Sequence, residues 1–315
     1  MTDREGSSEK VNYLIRPAKQ VERKLIIEAL QCLKQKYPIE HYQYIGMGSL
    51  YFVDYQMFHK HLGIDDMISM EKEEEKIERF EFNKPYNFID IKPGISTDIL
   101  PDLDWGKNML IWLDYDDSLH KGMLNDIETV CNNIQQGGIL IITVDAEPKR
   151  FSSKVIQSSK TVHEDRLINF KEKLHPHYPR KISSSDMVYK NFSALLYKIF
   201  LNKIKESIYI NPNKFFQLFN FKYKDTSQMY TFGCVFDKSE NEIETTGIYD
   251  LNFISKDSDI VEIKLPILTP REKIHFDKKI PRISERLKDF PMSRDKIETY
   301  EKYYKYYPQY FETFL

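Results

Sequence analysis

Ile45-Gly46-Met47-Gly48-Ser49 joins the short apolar run 42–45 to a segment with helical periodicity. A second apolar run ends at Met70-Glu71, about 25 residues after the glycine turn, where the acid of a doubly wound fold belongs. Glycines let a backbone approach a ligand closely, and the free amides of the next helix favour negative charge. The two segments therefore predict the first half of a Rossmann-like unit.

The same alternation of apolar runs and helical segments continues toward residue 150. Strands are predicted at 42–45, 67–70, 88–91, 109–113 and 139–144, with helices at 20–36, 50–62, 73–82 and 119–134. Strand and helix in this rhythm predict a mostly parallel sheet covered on both faces. After residue 150, helices are predicted at 164–173, at 191–205 and from 269 onward, and strands at 223–225, 229–236, 248–254 and 261–265.

The fold class predicted from these elements is α/β, with a doubly wound, mostly parallel sheet, an antiparallel C-terminal hairpin and helical additions. The predicted division is a tail and helix at 1–40, a cofactor-binding core at 41–150, a basic, aromatic-rich insertion at 151–220, a closing hairpin at 221–240 and a mostly helical extension at 241–315.

Charge is distributed unevenly along the 315 residues, although the formal net charge is only −2. Residues 1–150 carry 18 basic and 26 acidic side chains, whereas 149–230 carry 16 basic and 6 acidic ones. Three cysteines without CxxC spacing argue against a disulfide framework, and no apolar run reaches the roughly 18 residues of a membrane span. We therefore expect a cytoplasmic protein without a membrane partner, and we leave a protein partner or a homo-oligomer open.

Acidic side chains follow two of the predicted strands. Glu71 ends the second strand, where one carboxylate can accept hydrogen bonds from both hydroxyls of a ribose. The fourth strand ends in Asp114-Tyr115-Asp116-Asp117, at the sheet edge where doubly wound folds bind ligands. Carboxylates packed this closely suit a base, a polar clamp or a metal ligand, and helix capping explains the last of them equally well.

Two further clusters are candidate binding groups. Ser96 and Thr97 follow the third strand and offer hydroxyls at the same edge of the sheet. Arg16, Lys19 and Arg23 cluster near the start of the first helix, where cations are locally unfavourable, so they indicate either an external anion or ordinary surface ion pairs. The histidine pairs 59/61 and 175/177 lack neighbouring cysteines, so we predict no metal site.

The order of these elements resembles that of class I S-adenosylmethionine-dependent methyltransferases, specifically the bacterial O-methyltransferase-like proteins. The resemblance covers about 44–145 and the hairpin at 223–236. It implies S-adenosyl-L-methionine as cofactor and an unidentified methyl acceptor. It places residues of the chain as follows: Gly46, Met47, Gly48 and Ser49 at the methionine part, Glu71 at the ribose, Ser96 and Thr97 near the adenine, Asp114, Tyr115 and Asp116 at the transfer site, and Arg16 and Lys19 toward the substrate or the cofactor carboxylate.

The sequence departs from the family pattern at two places. Tyr44 and Leu50 stand where the family usually has an acid and a third glycine, and the run 114–117 lacks the two prolines typical of enzymes that methylate nucleic-acid base amines. An oxygen nucleophile is therefore favoured as acceptor. The alternative is a non-catalytic module of this fold that binds a nucleotide-like ligand or a protein.

The sequence also bears on a second enzyme class and on a second acceptor class. A short-chain dehydrogenase needs Tyr-x-x-x-Lys, and none of the 21 tyrosines has a lysine four residues on. Residues 149–230 combine their basic excess with aromatic side chains, a mixture that could track phosphates and stack bases, so nucleic acid is a second candidate acceptor.

Overall fold

A computed structural model describes residues 16–156, 158–287 and 290–308 of the chain; the predicted tail at 1–12 lies outside the described residues. Eight strands form one sheet in the described part: β1 (Gln43–Met47), β2 (Asp66–Glu71), β3 (Ile89–Pro93), β4 (Met109–Ser118), β5 (Ile139–Asp145), β6 (Lys214–Lys224), β7 (Gln228–Asp237) and β8 (Val261–Ile263). Their order across the sheet is β3-β2-β1-β4-β5-β7-β6-β8. Strands β1 to β5 are parallel, and β7 is antiparallel to both β5 and β6. The predicted fold class is confirmed.

Helices connect these strands and continue beyond them. They are α1 (Pro17–Leu33), α2 (Val53–Leu62), α3 (Ile77–Asn83), α4 (Ser96–Ile99), α5 (Lys121–Asn133), α6 (Val162–Leu174), α7 (Tyr189–Ser207), α8 (Glu240–Glu244), α9 (Pro270–Asp277), α10 (Ile283–Arg286) and α11 (Arg294–Tyr303). α2 begins later than predicted, after Phe52, whose φ of 45° is left-handed and ends the glycine turn. The strand predicted at 248–254 is wrong, because Ile248–Asp250 forms a 3₁₀ turn.

The two faces of the sheet bury separate apolar clusters, because successive strand residues point to opposite sides. Tyr44 and Leu110 pack with α1 and α2 on one face. Ile45 and Ile111 pack with α5 and α7 on the other. The carboxyl ends of β1 and β4 lie side by side where the chain order reverses, which is the position at which doubly wound sheets open a binding crevice.

The predicted boundary between insertion and hairpin differs from the structure. β6 begins at Lys214, well before residue 221, and α7 buries Phe192 and Phe200 in the same cluster as β4 and β5. Gln217 and Asn220 interrupt the apolar pattern of β6, yet both are buried, because their side-chain amides donate to backbone carbonyls in the loop 255–259. The second half of the predicted insertion is therefore part of the core.

Helix α1 is fixed at both ends by distant parts of the chain. The Asp225 carboxylate, in the turn between β6 and β7, accepts hydrogen bonds from the backbone N–H groups of Ala18 (2.9 Å) and Lys19 (3.1 Å). An acid at a helix start satisfies free amides and complements the helix dipole. Toward the other end, Tyr306 donates to Glu28, and Lys24 donates to the Tyr306 carbonyl at 3.0 Å. α1 is thereby held across the edge of the sheet.

The C-terminal segment packs around a small apolar cluster of its own. Phe276, Ile283, Ile297 and Tyr300 are buried there, and Tyr303 donates to the Glu262 carbonyl at 3.0 Å. The last aromatic residues of the predicted run, at 310 and 311, fall outside the described part. Within the residues described, no helix combines the length and the apolar character needed to cross a bilayer.

Candidate active site

A cavity of about 310 Å³ opens at the carboxyl ends of β1 to β4. Nine of the residues predicted from the sequence line it: Met47, Gly48, Ser49, Glu71, Ser96, Thr97, Asp114, Tyr115 and Asp116. Gly46, Arg16 and Lys19 do not line it. The sheet edge thus brings together side chains from four separate strand ends, as its parallel topology requires.

The glycine turn lies directly against the acid of β2. A Cβ atom on Gly48 would stand 1.6 Å from Glu71 Oε1 and 2.2 Å from Ser69 Oγ, so only glycine fits at this position. Gly46 serves packing, because a Cβ there would stand 2.4 Å from the Tyr44 hydroxyl oxygen. The tyrosine that replaces the family's usual acid thus fills the space over Gly46.

Glu71 is a buried carboxyl group inside this cavity. It is 4% exposed, and Ser69 Oγ donates to its Oε1 at 2.7 Å. Burial raises the pKa of Glu71 to about 7, because desolvation of the carboxylate outweighs the hydrogen bond from Ser69. A ligand that donates further hydrogen bonds to this group would favour its ionised form.

Arg23 reaches the same cavity from α1. Its Nε lies 2.5 Å from Asp54 Oδ1, and its Nη2 lies 3.3 Å from Asp54 Oδ2, so the pair joins α1 to the first turn of α2. Its third nitrogen, Nη1, is buried, and no acceptor within the described residues lies in hydrogen-bonding reach of it. Buried donors in folded proteins are nearly always satisfied by protein, water or ligand groups, so Nη1 is available to donate to a group of a ligand or to an ordered water.

Lys19 lies beneath the cavity. It is fully buried, and its Nζ stands 2.9 Å from both carboxylate oxygens of Asp114 and 2.9 Å from Glu22 Oε2. The ammonium group also stands 4.4 Å from the ring centroid of Trp112, a cation–π contact. Both donors predicted to bind the substrate are thus engaged inside the protein, since the Arg16 Nε approaches the Asp225 carboxylate at 3.8 Å.

Asp126, on α5, lines the cavity beside Ser96, which begins α4, and Tyr115, which belongs to β4. Its Oδ2 accepts hydrogen bonds from Ser96 Oγ and from the Tyr115 hydroxyl, both at 2.6 Å. Burial and the Asp126 carboxylate raise the pKa of Tyr115 well above its ordinary value, so the phenol stays protonated as a donor. The ring that was predicted to wall the acceptor pocket is therefore tied to Asp126 and Ser96.

The rim of the cavity is acidic. Asp116 is exposed and stands 3.6 Å from Lys72 Nζ, while Asp117 accepts a hydrogen bond from the Ser118 N–H at 2.6 Å. Although burial opposes it, this hydrogen bond and the charge of Lys173 lower the pKa of Asp117. The residues described contain no group of three or more His, Cys, Asp or Glu side chains arranged to hold a metal ion. An acidic lining complements a cationic ligand.

Asp126 was not among the site residues predicted from the sequence, and Arg23 was predicted only as a member of the cation cluster at the start of the first helix, although both carried a signal. Arg23 follows Lys19 by one helical turn and so shares its inward face. Asp126 falls between Met123 and Val130 on the buried stripe of α5, where an acid is out of place unless it has a partner. Arg23 pairs with Asp54, and Asp126 accepts hydrogen bonds from Ser96 and Tyr115. Only the folded chain brings these partners together.

Comparisons with known proteins fit this site. A family model described as "Putative O-methyltransferase" matches residues 11–315. The match confirms the resemblance found in the sequence and the cofactor that it implied, S-adenosyl-L-methionine. No curated protein matches the chain in sequence.

Three of the solved structures that are similar to this chain are described by their own names. Trm1 from Pyrococcus horikoshii with S-adenosyl-L-methionine is 10% identical over 77% of this chain and 60% of its own, with a TM-score of 0.47. TYW2 from the same organism, in complex with MeSAdo, is 13% identical to this chain. The match covers 73% of this chain and 66% of TYW2, with a TM-score of 0.38. A structure described as a putative O-methyltransferase from Klebsiella pneumoniae is 10% identical to this chain. The match covers 72% of this chain and 81% of that protein, with a TM-score of 0.38. The chain spans less than two thirds of the length of Trm1 and TYW2, and identities this low say nothing about the acceptor.

Proposed function

Because the chain belongs to this O-methyltransferase family, we propose that it transfers a methyl group from S-adenosyl-L-methionine to an oxygen nucleophile of an acceptor molecule. The proposal rests on one cavity that contains both a buried acid and buried polar atoms without hydrogen-bond partners among the described residues. Glu71 lies against Gly48, while Arg23 Nη1 and Asp126 Oδ1 are buried without partners among the described residues. These groups suit a ligand that carries a carboxylate, a ribose and a base.

The residues present fit this cofactor part by part. Glu71 accepts hydrogen bonds from the ribose hydroxyls, as its position at the end of β2 suggests. Met47, Gly48 and Ser49 line the side along which the methionine part would lie. Arg23, rather than Arg16 or Lys19, binds the methionine carboxylate through Nη1, because it alone of the three lines the cavity.

When bound, the cofactor supplies a methyl group on a positively charged sulfur that is open to in-line attack. The chain's contribution is to position the acceptor and exclude water. Lys19 holds both oxygens of Asp114, so this carboxylate is fixed at the cavity edge, where it orients the acceptor or takes its proton. Asp116, on the exposed rim, is the second candidate for that proton.

The end of β4 supports an oxygen acceptor. β4 continues as a strand to Ser118, with a register shift after Asp114 where it pairs with β5. Strand geometry replaces the proline turn that is typical of base-amine methyltransferases, and the proline positions hold Tyr115 and Asp116.

Nucleic acid as acceptor finds little support in the aromatic side chains at 149–230. Phe192, Phe200 and Phe219 are fully buried, so they cannot stack on bases, whereas Tyr189 and Tyr209 are 42% and 91% exposed. The prediction now depends on the exposed cations of this region. We would drop it if single-stranded DNA and RNA fail to bind at low salt, where counterion release favours binding most.

Arg23→Gln tests the cofactor site. S-adenosylhomocysteine carries the amino-acid carboxylate, and methylthioadenosine lacks it. We expect the variant to bind S-adenosylhomocysteine roughly 10-fold more weakly than wild type, because a charge-assisted hydrogen bond is lost. Its affinity for methylthioadenosine should be unchanged, which also controls for folding.

If the variant loses affinity equally for both ligands, Arg23 does not bind the amino-acid carboxylate of the cofactor. Absence of calorimetric heat with S-adenosylmethionine and S-adenosylhomocysteine on wild type would instead favour the non-catalytic alternative.

A further inference from the structure

Glu22 is a buried acid that has no part in the reaction described so far. It is fully buried on α1, and its Oε2 lies 2.9 Å from Lys19 Nζ. The same nitrogen stands 2.9 Å from both carboxylate oxygens of Asp114, which belongs to β4. The two carboxyl groups therefore share one ammonium group beneath the cavity. Their nearest oxygens are less than about 6 Å apart, a distance at which each negative charge raises the proton affinity of the other group.

A chain of hydrogen bonds ends at the other oxygen of Glu22. The Trp112 indole N–H donates to Thr143 Oγ1 at 3.0 Å, and Thr143 Oγ1 lies 2.8 Å from Thr231 Oγ1. Thr231 in turn donates to Glu22 Oε1. Because an indole N–H can only donate, each hydroxyl of the chain donates toward Glu22. One carboxyl oxygen thus accepts from this chain and the other faces the ammonium group, an arrangement that favours the ionised form of Glu22.

Burial acts against that ionised form. Desolvation raises the pKa of Glu22, the charge of Lys19 lowers it, and the charge of Asp114 raises it again. The charged and titratable groups around Glu22 come from five parts of the fold: Arg16, Lys19 and Arg23 at α1, Asp54 on α2, Asp114 on β4, Tyr223 on β6 and Asp225 in the turn after it. The two arginines face Asp54 and Asp225, and burial keeps Tyr223 neutral by raising its pKa. Lys19 and Asp114 therefore decide the charge of Glu22.

We propose that Glu22 is a positioning residue that enables Asp114 to take a proton from the methyl acceptor, because the two carboxylates share the Lys19 ammonium group. The inference rests on the proposed function, in which Asp114 takes that proton. With both carboxylates ionised, the three groups carry one uncompensated negative charge in a buried place. Uptake of one proton by Asp114 makes the three groups neutral, and Lys19 keeps Glu22 as its counter-ion.

The proton comes from the hydroxyl group of the acceptor. Its O–H bond breaks, the proton forms a bond to a carboxylate oxygen of Asp114, and the electron pair stays on the acceptor oxygen that attacks the methyl group. Without the charge of Glu22, the same transfer would leave the buried Lys19 ammonium without a counter-ion. An uncompensated buried charge is strongly unfavourable, so Asp114 alone would be a poor base.

The test is a pH titration of the ligand-free protein, followed by ¹³C NMR of the Asp114 and Glu22 carboxyl groups, which are assigned through their own side-chain protons. Asp114→Asn should lower the pKa of Glu22, because a like charge is removed. Glu22→Gln should, for the same reason, make the Asp114 signal titrate at lower pH. Each change should reach at least about one pH unit, which is roughly 10-fold in proton affinity, and linkage requires the two changes to be similar.

Glu28→Gln is the matched control, since it removes the same charge from a half-buried acid of α1 that accepts a hydrogen bond from Tyr306. It should leave both titrations unchanged. A Glu22 that only supports packing would alter stability without coupling the two titrations. If Glu22 titrates at the same pH in wild type and in Asp114→Asn, the proposal is wrong. That comparison does not use Glu22→Gln, so a folding defect in this variant leaves the test intact.

Calorimetry with S-adenosylhomocysteine on the same wild-type sample separates this inference from the proposed function. Binding together with independent titrations would overturn the role of Glu22 alone. Absence of binding would overturn the proposed function, and with it the role of Glu22 in the reaction, whatever the titrations show.

Discussion

At the scale of single residues, Glu71 links the stability of the ligand-free protein to pH. Its folded-state pKa of about 7 lies above the ordinary value of 4.5, so the folded protein holds this proton more tightly than the unfolded chain. The stabilisation is complete below pH 4.5 and is lost as the pH rises toward 7, by about 3 kcal/mol. Urea unfolding between pH 5 and 8 should show this loss in wild type.

Glu71→Gln should flatten that part of the stability curve, because glutamine does not titrate. The same group should make ligand binding pH-dependent in the opposite sense, since hydrogen bonds from a ribose favour the carboxylate. Affinity for S-adenosylhomocysteine should therefore increase as the pH rises to about 7 and level off above it. Identical pH profiles for wild type and Glu71→Gln would show that another group is responsible.

Asp114 belongs to the transfer step in our account, in contrast to Glu71. Asp114→Asn keeps the shape of the side chain and removes its charge, so S-adenosylhomocysteine affinity should change little. Turnover with an identified acceptor should fall by roughly 100-fold or more if Asp114 takes the proton. Asp116→Asn is the comparison variant, because Asp116 is an exposed acid within the same strand end. If Asp116→Asn shows the larger loss of turnover, Asp116 on the rim of the cavity takes the proton instead of Asp114.

At the scale of secondary-structure elements, α1 depends on an acid that lies far away in sequence. Asp225 caps the first turn of α1 through two backbone amides, so Asp225→Ala should reduce the free energy of unfolding by about 1–2 kcal/mol. Asp259→Ala, at an exposed loop acid, is the control and should have little effect. Because α1 carries Arg23, the Asp225 variant should also weaken S-adenosylhomocysteine binding. Unchanged stability would mean that the cap is not needed.

The elements also show how far the sequence alone could predict the fold. Strands β4 and β5 were predictable because they are nearly continuous apolar runs, the pattern of strands buried on both faces, whereas β3 was predictable from the alternation of its buried isoleucines with exposed residues. The extent of β6 was not, because Gln217 and Asn220 look like loop residues until the loop at 255–259 supplies their hydrogen-bond partners. The local sequence pattern predicts an element well when its buried side chains are apolar. It predicts an element poorly when buried polar side chains depend on backbone carbonyls from a distant part of the chain.

The same distinction holds for the site. Gly48, Glu71 and Asp114 could be found from the sequence, because they stand at strand ends and parallel topology gathers strand ends at one edge. Arg23 could not be separated from Lys19, because the choice depends on Asp54 and Asp114, which lie on other elements. Whether a charged group on α1 faces a ligand or an internal partner is a property of the assembled core.

At the scale of the whole molecule, the described residues form one sheet, and the crevice at its carboxyl edge combines a buried acid, a cationic donor and an acidic rim. We propose that this crevice binds S-adenosylmethionine with Glu71 on the ribose. The positions proposed for Arg23 and Asp114 along the ligand depend on this placement of the ribose. If Glu71 does not hold the ribose, Arg23 and Asp114 lose those positions as well.

The most direct test is a calorimetric titration of S-adenosylhomocysteine into wild type, Glu71→Ala and Glu75→Ala, with circular dichroism as the folding control. Glu75 is an exposed acid in the charged run that follows β2, so its variant should bind like wild type. Removal of Glu71 should weaken binding by about 1.5–3 kcal/mol, through loss of a charge-assisted hydrogen-bond acceptor. If wild type binds and Glu71→Ala binds equally well, Glu71 does not hold the ribose and the account of the site is wrong.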